Sequence, residues 1–155
     1  MPTILYNVLY YILLYMNNLI LVRHGQSLWN LQRRFTGWAD VDLTENGQLE
    51  AKHAGHLIKE LNIEFDTYFT SFQKRAISTL EIIIDILNKQ KSHIQKAWEL
   101  NERHYGALTG LNKDELIKKH GKNQVHIWRR SFDIPPPPMK KADPNHPSHN
   151  IAYKT

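Results

Sequence analysis

The sequence predicts an α/β fold, a mostly parallel sheet with helices packed on its faces. Short apolar runs alternate with longer stretches of helical periodicity in the order strand, helix, strand, helix, strand, which is the pattern of parallel strands joined by helical crossovers. The two longer stretches each gather their apolar residues on one side, as helices packed on a sheet must. The polar segments "RHG" and "TSFQKR" directly follow the first and second runs, where parallel sheets bind their ligands.

Taken in chain order, residues 4–16, "ILYNVLYYILLYM", come first, within a stretch of 22 residues carrying no charge. They are too few to span a hydrocarbon core, which needs about 20, and Asn17-Asn18 interrupts them. No basic segment precedes them and no small-residue cleavage site follows, so a secretory signal is poorly supported. Met16 offers an alternative start, "MNNLILVRHG", with a strand at its head. Residues 1–15 are therefore expected to lie outside a domain covering 16–155.

Residues 19–22 form an all-apolar run suited to a strand buried on both faces, although four residues also fit part of a core helix. Residues 44–61 then read as a helix with Thr44 as N-cap and Leu49, Ala51, Ala54, Leu57, Ile58 and Leu61 on one face. Residues 65–71 form the second strand. Residues 74–87 return to helical spacing, with Ala76, Ile77, Leu80, Ile83, Ile84 and Leu87 near one side. Residues 94–100 are a weaker strand. Asn112 caps another helix, with Glu115 three residues on as in a capping box and Gly121 to end it. Residues 124–130 add a helical turn or two, and Pro135 to Pro138 can only run as a stiff extended piece.

The 155 residues, 41% hydrophobic and 23% charged, suffice for one modest core. The net charge of +5 favours an anionic partner. The basic residues sit in short pairs, Lys118-Lys119, Arg129-Arg130 and Lys140-Lys141, and not in one long arm. That points to a small anion in preference to nucleic acid. With no cysteine, a disulfide framework, a thiolate nucleophile and a Cys-rich zinc site are all excluded. His53 and His56 lie three apart without an Asp, Glu or Cys constellation, so no metal site is expected. The dispersal of Trp29, Trp38, Trp98 and Trp128 argues for packing and site walls over a platform for bases.

His24, at the end of the first run, is the candidate nucleophile. A neutral imidazole attacks phosphorus without a metal and forms a phosphoramidate. Arg23 and Arg75 would supply permanently charged, bidentate donors to phosphoryl oxygens, and N–H groups near Gly25 could add more. Arg75 also opens its helix, where the macrodipole favours an anion. An Arg-His-Gly tripeptide alone is better read as an ordinary turn with an ion pair.

Five segments occur in order: "LVRHGQSLWN", "FTGWADVDLTENG", "KRAIST", "NERHYGALTGLNK" and "IWRRSFDIPPPP". Together they closely resemble the cofactor-dependent phosphoglycerate mutases of the histidine phosphatase superfamily, from about residue 19 to 138. "RHG" marks the superfamily, whereas the fourth and fifth segments mark the mutase branch. The resemblance implies a three-layer phosphoglycerate mutase-like fold, a cytoplasmic setting, and interconversion of 3-phosphoglycerate and 2-phosphoglycerate through phosphohistidine. It implies 2,3-bisphosphoglycerate as phosphoryl primer, no metal, no nucleic-acid or membrane partner, and a homo-oligomer.

At matching positions it implies that His24 carries the phosphoryl group and that Glu102 is general acid and base for the substrate hydroxyls, assisted by Arg23 and Arg75. A hydroxyl attacking phosphohistidine must lose its proton, and a carboxylate beside it can take it. Ser27, Asn30, Thr36, Gly37 and Tyr105 match positions lining the phosphate and carboxylate site. Arg103 and His104 belong to the same binding segment, His104 in a supporting role. Lys113, Arg129 and Arg130 match those that hold the far end of the substrate.

Members of that family carry, beyond the proline segment, a further strand ending in a second "HGNS"-like histidine motif, then another helix. "MKKADPNHPSHNIAYKT" contains neither, and His146 and His149 lie in a Pro/Asn/Ser-rich context. The fold is thus expected to lack its C-terminal strand and helix, as a truncated form. A catalytically silent, phosphate-binding relative and a histidine phosphatase remain the alternatives, the latter opposed by "NERHYG" and "WRRS".

Overall fold

In a computed structural model, the structure describes residues 18–153; the expected extension, residues 1–15, lies outside them. Helix α1 (Leu28–Leu31) and helix α2 (Glu45–Glu60) precede strand β1 (Tyr68–Thr70) and helix α3 (Lys74–Leu87). Strand β2 (Ile94–Lys96), helix α4 (Lys113–His120) and helix α5 (Lys122–Arg130) follow. Strands β1 and β2 pair in parallel, Tyr68 opposite Ile94 and Thr70 opposite Lys96, with α3 as the crossover.

Helix starts follow local chemistry. Ser27 caps α1 in a reciprocal box with Asn30. Thr44 caps α2 by accepting from the Gly47 N–H, and Asn112 caps α4 by accepting from the Asp114 and Glu115 N–H groups. The first turn of α3 has no cap from its own N-cap residue, Gln73; instead the Asp40 carboxylate accepts from the Lys74 N–H at 2.7 Å. Helix α3 spans the predicted 74–87, and α4 ends at Gly121 as expected.

Residues 19–22 do not form the expected strand. They belong to no ladder, and Leu19 and Leu21 are 81% and 85% exposed. A strand needs a neighbour about 4.8 Å away. Residues 19–22 and the β1 segment instead line a shared cavity of about 1230 Å³. The second and third strands are shorter than expected. Only 68–70 of 65–71 pair, and 98–100 leave the third strand as a single 3-10 turn.

The packed face of α2 also differs from the expected one. Ala51 is buried as expected, but Leu49, Leu57 and Leu61 are exposed and the glycines Gly47 and Gly55 are buried instead. Close approach selects small residues over apolar ones here: a Cβ on Gly55 would stand 2.8 Å from Ile86 Cδ1 of α3. The α3 side of that layer buries Ile83 and Ile84. A second cluster joins Phe35, Tyr105, Leu108, Leu116 and Val125, with Ile117 and Trp128 against it. Phe35 meets Tyr105 edge to face at 5.0 Å. This cluster anchors the 101–111 loop and α4–α5 to the 33–36 segment, so the two basic helices stand over the loop that carries Glu102.

The chain after the prolines folds back. Tyr153 stacks between Trp38 and Phe72, and its hydroxyl accepts from Asn101. No helix among the described residues is long and apolar enough to cross a membrane.

Candidate active site

His24 sits in a tight turn held from two sides. The Gly25 N–H donates to Thr79 Oγ1 of α3 at 3.1 Å, and the Gln26 N–H donates to a Glu50 carboxylate oxygen of α2 at 2.7 Å. The turn and α2 touch backbone to backbone. A Cβ on Gly25 would lie 2.1 Å from the Gly47 carbonyl oxygen, and one on Gly47 would lie 2.1 Å from that of Gln26. Both glycines are required by this approach.

The turn also sets the imidazole tautomer. His24 Nδ1 lies 2.7 Å from the Gly25 carbonyl oxygen, which can only accept, so Nδ1 carries the proton. Nε2 keeps its lone pair unprotonated and accepts from the Arg75 Nε–H at 3.2 Å. Burial, opposed by the bond to the Gly25 carbonyl and by Glu102 and aided by Arg75 and Arg23, holds the His24 pKa below its ordinary value. His24 is therefore neutral near pH 7, the form a nucleophile needs.

Arg75 is fully buried, an expensive place for a charge unless every donor is used. Nη1 donates to the Ala39 carbonyl at 3.0 Å; Nη2 is shared among the Gly37 carbonyl, Gln73 Oε1 and Glu102 Oε2 at 2.9 to 3.0 Å. Gly37 has φ +54°, a conformation that suits glycine and turns its carbonyl inward. Trp38 Nε1 donates to the Glu102 carbonyl at 2.7 Å, fixing the Glu102 backbone from the other side. Nε2 of His24, the Arg75 guanidinium and the Glu102 carboxylate thus form one hydrogen-bonded line.

Arg23, His24, Asn30, Glu102, Tyr105, Lys113, Arg129 and Arg130 line the cavity together. Burial and the neighbouring Arg129 hold Lys113 below its ordinary pKa. The buried Arg129 Nε has no partner. Cations gathered against one another in this way, outnumbering the lining carboxylates Glu99 and Glu102, form a receptacle for a polyanion. Burial and Glu102 push the Tyr105 hydroxyl above its ordinary pKa, so it is a neutral hydrogen-bonding group.

The other expected site residues stand back from the cavity. Ser27 is spent on the α1 cap, and Gly37 acts through its carbonyl beneath Arg75. Thr36 is buried with its hydroxyl unpaired. Arg103 turns away to the carbonyls of Ser131 and Ile134, and His104 Nδ1 accepts from the Gly106 N–H. His146 and His149 do not line the cavity.

Two supporting residues, Gln73 and Thr79, have no role in the sequence analysis, whereas Trp38, expected in packing or a site wall, holds the Glu102 backbone. Thr79 carries a legible signal, a polar residue within the otherwise apolar stripe of α3.

Residues 19–144 match the family described as histidine phosphatase superfamily (branch 1). The chain is 55% identical over 139 residues to a 2,3-bisphosphoglycerate-dependent phosphoglycerate mutase of Hydrogenobaculum sp. (strain Y04AAS1), covering 90% of this chain and 56% of that protein. It is 56% identical over 140 residues to the protein of the same name from Pelagibacter ubique (strain HTCC1062), covering 90% and 58%. The chain thus spans little more than half the length of these relatives. Among solved structures, a phosphoglycerate mutase from Bacillus anthracis superposes with a TM-score of 0.58 at 27% identity, covering 68% of this chain and 48% of that one.

Proposed function

The chain belongs to the histidine phosphatase superfamily, and from that membership we propose that it carries the phosphoryl-transfer site of a 2,3-bisphosphoglycerate-dependent phosphoglycerate mutase. The observation that carries the reading is the line of His24, Arg75 and Glu102 beside a cavity edged by Arg23, Lys113, Arg129 and Arg130. A substrate bearing a phosphate and a carboxylate needs cations at both ends and a nucleophile with an acid/base group at one.

The His24 Nε2 lone pair attacks phosphorus; a P–N bond forms while the bond to the departing oxygen breaks. The Arg75 Nε–H, already beside Nε2, donates to a phosphoryl oxygen as charge develops. Glu102 gives a proton to the departing hydroxyl oxygen and takes one from the hydroxyl that later attacks phosphohistidine. Arg23 holds the phosphoryl and carboxylate oxygens, and Lys113, Arg129 and Arg130 hold the far end. When bound, 2,3-bisphosphoglycerate supplies the phosphoryl group that primes His24. The unpaired Arg129 Nε and the crowded Lys113 fit such a polyanion. The same reading carries phosphoglycerates as ligands, a cytoplasmic setting and a homo-oligomer.

A second reading, binding without turnover, is favoured by the breadth of the cavity. It extends from the site past residues 19–22 to β1 and α3. Water has access to a site that wide, and the electrostatic terms weaken.

The test is incubation with 2,3-bisphosphoglycerate, detection of an acid-labile adduct at His24, and measurement of 3-phosphoglycerate conversion. His24→Ala should abolish the adduct, and Glu102→Gln should spare it more than hydroxyl transfer. An adduct with turnover supports the mutase reading. An adduct with little or no turnover, the expected result, supports the second. Absence of both adduct and phosphoglycerate binding overturns both.

A further inference from the structure

Gln73 lines the cavity but has no part in the chemistry proposed above. Gln73 is 2% exposed. Its amide Nε2 donates to the Gly37 carbonyl at 2.8 Å, and its Oε1 accepts from Arg75 Nη2 at 3.0 Å and from the Glu102 N–H at 3.4 Å. These partners come from three segments: the turn after Phe35, the start of α3 and the loop bearing Glu102. The Gly37 carbonyl also accepts from Arg75, so Gln73, Gly37 and Arg75 close a small ring of hydrogen bonds.

We propose that Gln73 is the positioning residue of this site, holding Arg75 and Glu102 in register so that the Arg75 Nε–H stays aimed at His24 Nε2. The geometry demands a donor and an acceptor on one planar group at this reach. Asn is one methylene short, a Glu carboxylate cannot donate to Gly37, and an apolar isostere offers neither bond. A neutral amide also adds no charge beside the Arg75–Glu102 pair, which among the described residues is the ion pair next to the reacting atom. The functional meaning of that register rests on the roles proposed above for Arg75 and Glu102; the register itself rests on the hydrogen bonds.

The test uses the full chain, with imidazole NMR of His24 across pH, inorganic phosphate binding and thermal melting. The charged groups acting on His24 are Arg75, Arg23 and Glu102. In Gln73→Met the guanidinium loses one of its acceptors and swings toward Glu102. Its donation to Nε2, which favours neutral imidazole, then weakens. The His24 titration should move up toward 6.5, its ordinary value, and phosphate affinity should fall about tenfold. Ile84→Val, a truncation at a fully buried position of α3, serves as the control and should lower the melting temperature while moving neither. Gln73→Asn should change both readouts in the same direction as Gln73→Met. Gln73→Met with His24 titration and phosphate affinity within twofold of the parent overturns the proposal, as does failure of both Gln73 variants to fold, which assigns Gln73 to stability alone. If the parent neither binds phosphate nor forms an adduct, the functional reading falls, while the His24 titration still decides the role of Gln73.

Discussion

Gly47→Ala places the sharpest demand on the contact between α2 and the nucleophile turn. The new Cβ would stand 2.1 Å from the Gln26 carbonyl oxygen, and real Cβ contacts stay beyond 3.0 Å, so the two backbones must part by at least 0.9 Å. That carbonyl accepts from the Thr44 N–H at 2.9 Å and from Thr44 Oγ1 at 3.2 Å, so the movement strains both bonds. Overpacking of this kind costs about 1–3 kcal/mol and each weakened hydrogen bond up to about 1 kcal/mol. Alanine's helix propensity returns about 1 kcal/mol, because Gly47 is in the first turn of α2. The net destabilisation is about 2 kcal/mol, a melting temperature lower by about 4–8 °C for a chain this size. Since Gln26 is two residues from His24, a shift approaching 1 Å should also slow phosphoryl capture by about a hundredfold. Urea unfolding followed by tryptophan fluorescence measures the first effect, and adduct formation the second. Gly55→Ala is the internal comparison: its Cβ would meet the flexible tip of Ile86, so the loss should be smaller. A Gly47→Ala protein as stable as the parent, or no less stable than Gly55→Ala, would refute the close-approach reasoning.

Burial lowers the pKa of both His24 and His104 below 6.5. Below about pH 6.5 the unfolded chain therefore takes up protons that the folded one refuses, and stability should fall from there toward the lower folded values. Urea midpoints at pH 7.5 and 5.5 check this, with His24→Gln flattening part of the slope; a higher midpoint at pH 5.5 would contradict it. A chain beginning at Met16 should be at least as soluble and thermally stable as the full chain, because residues 4–16 are apolar and chargeless. A large loss of stability on that deletion would show that the segment belongs to the domain. The β1–β2 sheet and the exposed Leu19 and Leu21 beside the cavity should drive self-association, seen as scattering that grows with concentration. A concentration-independent monomer with a sharp cooperative melt would count against it.

Where the cause is local, this sequence is readable. Helix α3 was legible to its ends because 14 residues repeat one apolar face, and the Thr44 and Asn112 caps because a short oxygen-bearing side chain precedes each helix. His24, Arg75 and Glu102 were legible because five ordered segments resemble one family. The line that joins these three, across 51 and 27 residues of chain, is tertiary.

What the sequence by itself determined, then, is the helices α2, α3 and α4, the Thr44 and Asn112 caps that start two of them, the excess of positive charge and the family. Only the tertiary structure decided what depends on distance between remote segments. Residues 19–22 look like a buried strand, yet strand formation needs a neighbour at ladder spacing, and they line the cavity instead. Leu49, Leu57 and Leu61 look like the core face of α2 together with Ala51, yet only Ala51 of these four is buried and Gly47 and Gly55 join it, because the approach to α3 and to the His24 turn rewards small volume over hydrophobicity. Gln73 looks like an ordinary polar residue before a helix. Its importance lies in which carbonyl, guanidinium and amide surround it, and hydrogen bonds between segments leave no periodicity in a sequence.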